Sequence, residues 1–78
     1  MAPRAIADTL REWRETRGLS QRALAERAGM PYPMIARLEL GQTDPRLSTL
    51  RRLAKALNVT VAEIIGEGRP GRKRARGK

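Results

Sequence analysis

The chain has 78 residues, which points to one small domain. It has no cysteine and no histidine, so disulfide staples, thiolate metal sites and the commonest general base are all excluded. A net charge of +9, with 14 of the 17 basic residues arginine, implies a polyanionic partner, nucleic acid before membrane.

No apolar run approaches the roughly 18 residues of a membrane span. The first residues, MAPRAIADTL, lack the apolar stretch of a signal peptide. A cytoplasmic, nucleoid-associated protein is expected, with no cofactor, no metal and no small-molecule ligand. An enzyme is not expected, because the carboxylates are scattered and nothing assembles a reactive constellation.

Residues 4–17, RAIADTLREWRETR, place Ile6, Leu10 and Trp13 at helical spacing, and Gly18 ends that helix. Ser20 caps a second helix, QRALAERA, with Leu24, Ala25 and Ala28 on its apolar face and Gly29 at its end. A third helix is expected over about 33–40, carrying Ile35 and Leu38 and closed by Gly41. QTDP is turn chemistry. A fourth helix, about 47–57, carries Leu47, Leu50, Leu53, Ala54 and Leu57 before Asn58 breaks the period. Thr60 and Glu63 form a capping box for a short fifth helix, on which Val61, Ile64 and Ile65 are expected to be exposed. The fold class predicted is all-α, with a compact five-helix body over residues 4–66. The remaining residues, 67–78, belong to a glycine-rich basic run expected to be a disordered tail.

The stretch SQRALAERAGMPYPMIARLE is two short helices joined by a turn at Gly29, the helix-turn-helix pattern. Ala25 is small where the helices cross. Proline at a helix threshold sacrifices little, since the first N–H groups have no intrahelical partner. Proline also disfavours helical geometry in the residue before it. Met30 and Tyr32 are therefore expected to be extended, with Pro33 as the first helical residue.

Together with RLELGQTDP and LSTLRRLAKALNVTVAEII, this stretch resembles the lambda repressor/Cro-like helix-turn-helix family over about residues 6–65. The resemblance implies a dimeric, sequence-specific DNA-binding regulator whose second motif helix lies in the major groove. It implies base-reading positions at Tyr32, Pro33 and Arg37, with Met34 and Ala36 beside them. Arg37 suits bidentate hydrogen bonding to guanine. It further implies phosphate contacts from Gln21 and from the loop residues Gln42 and Thr43. Arg46 is placed to reach phosphate or the minor groove. Arg14 and Glu39 match a structural ion pair of the family, and Trp13 is expected to pack rather than stack on bases. Arg51, Arg52 and Lys55 read most simply as a solvated face.

Two departures matter. Leu40 stands where many members have a polar phosphate contact, and Asp44 stands where a basic residue is common. The basic tail is expected to compensate in part. The apolar residues Val61, Ile64 and Ile65 suggest a homodimer interface. No sensor domain is evident, so regulation is expected to work through concentration, dimerisation or a protein partner such as a toxin. Repressor, restriction-modification controller and antitoxin all stay open, as does a non-specific nucleic-acid or RNA binder driven by the tail.

Overall fold

The structure, a computed structural model, describes residues 2–66. The basic tail expected over 67–78 lies outside the described residues. The body is all-helical: α1 (Ala2–Thr16), α2 (Gln21–Ala28), α3 (Tyr32–Glu39), α4 (Leu47–Leu57) and α5 (Val61–Ile64). None of these helices is long and apolar enough to cross a membrane.

The first four helices end by one device. After α2, Gly29 sits at φ 70°, its N–H donates to the Glu26 carbonyl (3.2 Å), and the Met30 N–H reaches back to Ala25 (2.9 Å). This pair of bonds satisfies carbonyls that the last helical turn leaves open. A Cβ on Gly29 would meet nothing within 4 Å, so it is the left-handed backbone and not crowding that requires glycine. After α4 the same geometry falls on Asn58 (φ 59°), with the Val59 N–H bonded to Ala54 at 2.9 Å. Asparagine is the non-glycine residue best suited to that conformation.

α3 starts one residue earlier than its prolines suggest. Pro31 is the N-cap, at φ −65° and ψ 140°, Tyr32 is the first helical residue and Pro33 the second. The expectation that Tyr32 is extended is therefore wrong. Neither Tyr32 nor Pro33 needs an intrahelical N–H partner, and the first bond of the helix runs from the Met34 N–H to the Pro31 carbonyl (3.1 Å). Pro33 lies in the first turn, where proline costs no intrahelical hydrogen bond.

The core is formed by Leu10 and Trp13 of α1, Leu24, Ala25 and Ala28 of α2, Ile35 and Leu38 of α3, Leu50, Leu53, Ala54 and Leu57 of α4, and Ile64 of α5. Leu47, grouped with that face by its spacing, is 56% exposed, because it overhangs the start of α4. The Trp13 indole N–H donates to the Glu63 carbonyl (3.2 Å), tying α1 to α5. Both halves of the Thr60–Glu63 capping box are present.

This tether corrects the reading of the fifth helix. Ile64 is fully buried, so it is core and not part of an exposed dimer face. Val61 is half-buried against the core and Ile65 is 44% exposed. One turn of helix packed on both α1 and α4 has a single inward side, and Ile64 takes it.

Arg17 and Arg52 also act across helices. Arg17 Nε donates to the Leu57 carbonyl (2.7 Å) at the end of α4, and its guanidinium lies 5.1 Å from the Trp13 ring centroid. Arg52 Nη1 donates to the Gly29 carbonyl (3.2 Å), so Arg52 supports the helix-turn-helix turn and is more than a solvated charge. Together with Arg27 and Lys55 it borders a shallow groove between α2 and α4. Cations there complement the carbonyl ends of two helices.

Candidate nucleic-acid interface

The site is built where α2 meets α3, and its foundation is a buried cluster. Glu39, near the end of α3, is 7% exposed. Arg14 of α1 grips it with a two-pronged fork, Nε to Oε2 at 2.6 Å and Nη2 to Oε1 at 3.0 Å. Gln21, the first residue of α2, adds a third hydrogen bond from Nε2 to Oε1 at 3.0 Å. Arg14 Nη1 also donates to the Leu19 carbonyl in the loop before α2 (2.8 Å). Three helices and one loop thus converge on a single ion pair. The hydrogen bond to Glu39 raises the Arg14 pKa above its ordinary value. Burial works against that rise, and the charges of Glu39 and then Glu15 add to it. Arg14 therefore stays cationic across any pH at which the fold is studied.

Gln21 is thus committed inward by one amide N–H. A phosphate contact from its side chain, implied by the resemblance, is left to its second amide N–H.

At the other end of α3, Tyr32 is 37% exposed, and the Arg22 guanidinium lies 4.5 Å from its ring centroid. The first turn of α2 therefore touches α3 at both ends, through Gln21 to Glu39 and through Arg22 to Tyr32. That fixes the position of α3 along its own axis.

The outer side of α3 follows from this anchoring. Ile35, Leu38 and Glu39 are buried, which leaves Pro33, Arg37 and Leu40 exposed at i, i+4 and i+7. Arg37 makes no ion pair among the described residues and stands near the middle of this stripe. Met34 turns partly into the core, and Ala36 is half-buried. The stripe, with Tyr32 beside it, is what the helix offers to a partner. Gln42, Thr43 and Arg46 are exposed on the following segment, and the Gln42 N–H is bound to the Arg37 carbonyl (3.0 Å).

The charge around α3 is consistent with an anionic partner. The first turns of α2, α3 and α4 hold no carboxylate, whereas that of α5 holds Glu63. Helix N-termini free of acids favour phosphate. Arg22 belongs to this region, and sequence reasoning misses it. Its signal is a cation in the first turn of a helix, where the helix dipole disfavours it. Among the described residues no cluster of histidine, cysteine, aspartate or glutamate could hold a metal ion.

Comparison with known proteins agrees with this geometry. The helix-turn-helix family profile (HTH_3) matches residues 10–64. A transcriptional regulator of Deinococcus deserti, DdrOP3, is 37% identical over 60 residues, covering 77% of this chain and 46% of its own length. The immunity repressor protein of Bacillus phage phi105 is 36% identical over 62 residues, covering 80% of this chain and 43% of the repressor. The chain thus spans about half the length or less of these curated relatives. Among solved structures, the restriction-modification controller protein C.AhdI of Aeromonas hydrophila superposes with a TM-score of 0.77 at 32% identity, over 80% of this chain and 94% of that one. An HTH_3 family regulator from Vibrio cholerae gives 0.79 at 31% identity, over 82% of this chain and 36% of its own. With its five helices in order, its turn at Gly29 and these matches, the chain belongs to the lambda repressor/Cro-like helix-turn-helix family of transcriptional regulators.

Proposed function

We propose that this protein is a sequence-specific DNA-binding repressor that grips an inverted-repeat operator as a homodimer. The observation that carries the reading is the exposed stripe of α3, centred on an Arg37 with no ion-pair partner among the described residues and flanked by helix starts without carboxylates. In this reading α3 lies in the major groove. Tyr32, Pro33 and Arg37 face base edges, and Ala36 and the exposed part of Met34 line the approach. Gln21, Gln42, Thr43 and Arg46 lie along phosphates. Val61 and Ile65 supply part of the dimer contact, without Ile64. Two half-sites then fall about one DNA turn apart.

Selection of bound sites from a random duplex pool tests specificity, symmetry and spacing together. Enrichment of an inverted repeat supports the proposal. Recovery of unbiased sequence, or equal affinity for RNA and DNA, replaces it with non-specific polyanion binding.

Arg37→Ala is expected to relax discrimination at one guanine per half-site by about 1–3 kcal/mol, roughly 5- to 150-fold, and to leave other positions unchanged. Affinities for operators with single base-pair changes measure this. A uniform loss across all positions would make Arg37 a phosphate contact. Removal of residues 68–78 is expected to act in the opposite pattern. It weakens binding to every sequence alike and lowers the salt slope by about 0.9 for each phosphate that the tail neutralises. An unchanged slope would leave the tail with no part in binding.

A restriction-modification controller is the second reading. C.AhdI, which carries that name, is matched over 94% of its length, so the shared fold accounts for nearly all of that protein. A methyltransferase or nuclease gene beside this one, with the selected operator lying before it, would favour the controller over the repressor.

A further inference from the structure

Arg22 is oddly placed. It is the second residue of α2, where a cation opposes the helix dipole, and Ser20 already caps that helix by accepting the Ala23 N–H (3.0 Å). Glu26, four residues on, is not bridged to it. Among the described residues Arg22 forms no salt bridge, and its contact is with the face of Tyr32, at 4.5 Å. That distance is well inside the range of an effective cation–π contact.

Tyr32 is restrained from three directions. Pro31 fixes the backbone before it and Pro33 the backbone after it. Arg22 then covers one ring face. The residue as a whole is 37% exposed, so part of it is presented to solvent at the reading end of α3. An aromatic ring held in advance loses little entropy when it meets a base edge.

We propose that Arg22 is a positioning residue for base recognition, acting through Tyr32 by holding its ring against the start of α3. This deepens the reading of α3 as the base-reading helix and rests on it. The base pair concerned is one read by apolar contact at its major-groove edge, and the chemistry fits a thymine methyl.

The test compares the full chain with its Arg22→Ala, Arg22→Lys, Tyr32→Ala and double Arg22→Ala/Tyr32→Ala variants. Each is titrated with the operator recovered from the random pool and with a panel of single base-pair changes, at several salt concentrations. Arg22→Ala is expected to reduce discrimination by about two- to five-fold, the span of an exposed cation–π contact. The reduction falls at the base pairs where Tyr32→Ala also acts, and the double variant loses no more there than Tyr32→Ala alone. Arg22→Lys retains part of the effect, since a compact ammonium covers a ring less well than a planar guanidinium. Without DNA, the Tyr32 ring proton resonances shift in Arg22→Ala while those of Trp13 stay in place.

Two results overturn the role while leaving the proposed function intact. One is an equal loss of affinity for every sequence with a shallower salt dependence, which makes Arg22 a phosphate contact. The other is additive effects of Arg22→Ala and Tyr32→Ala at the shared base pair. Failure of the wild-type chain to enrich any sequence overturns both proposals.

Discussion

Glu39→Ala is expected to cost about 3 kcal/mol of folding stability, the scale found when one member of a buried ion pair is removed. In a domain of this size that lowers the melting temperature by about 15 °C. The reason lies in what is left behind. The Arg14 side chain is 12% exposed and the Glu39 side chain 4%, so neither ion is well hydrated once its partner has gone. Arg14→Ala is expected to cost at least as much, because the carboxylate it strands is the more deeply buried of the two and keeps only Gln21. Glu39→Gln retains the shape and an acceptor, and falls between. The pair also predicts its own non-additivity: Arg14→Met combined with Glu39→Leu removes both charges and loses less than either alanine variant alone. Thermal and urea unfolding of the four variants measure the set. Losses under about 1 kcal/mol in both alanine variants would mean the pair behaves like a solvent-screened surface bridge, against its burial.

The same pair shows where sequence suffices and where it does not. Helix ends are legible because their causes are local. Gly18, Gly29 and Gly41 adopt the left-handed conformation that closes a helix, and Ser20 and Thr60 accept N–H groups three residues on. Arg14 and Glu39 lie 25 residues apart, and only the family resemblance links them in advance. The contacts invisible in the sequence all run between helices or from a helix to a turn: Arg22 on Tyr32, Arg52 on Gly29, Trp13 on Glu63. Each depends on distances that no single helix period contains. The start of α3 is hard to place for a different reason. The local rule for a residue before proline disfavours helix at Tyr32, whereas proline in the first turn costs no intrahelical hydrogen bond, so two local rules pull apart there. Of the candidate site, the face of α3 can be read from the spacing of Ile35 and Leu38. The inward turn of Gln21 and Met34 cannot, since it depends on what lies opposite.

Ile64→Ala is expected to destabilise the domain by about 2–4 kcal/mol, and Ile65→Ala by less than about 1 kcal/mol. The two residues are neighbours in sequence and share a side chain type, so the contrast isolates burial. Ile64 has no exposed surface and packs in the core shared with α1 and α4, where truncation leaves a cavity. Ile65 is 44% exposed, and its truncation mainly shortens an apolar surface. Thermal unfolding at low protein concentration measures this contrast. The same positions separate folding from assembly. Ile65→Glu leaves the melting of the dilute chain nearly unchanged but weakens self-association in sedimentation, if the dimer proposed above uses this face. Ile64→Glu unfolds the chain outright, because a carboxylate at that site has no partner. An Ile64→Ala variant that melts with the wild type would contradict the buried position of the residue. An Ile65→Glu variant that dimerises with unchanged affinity would move the interface elsewhere, and Leu40 and Leu47, 67% and 56% exposed, are the apolar side chains to examine next.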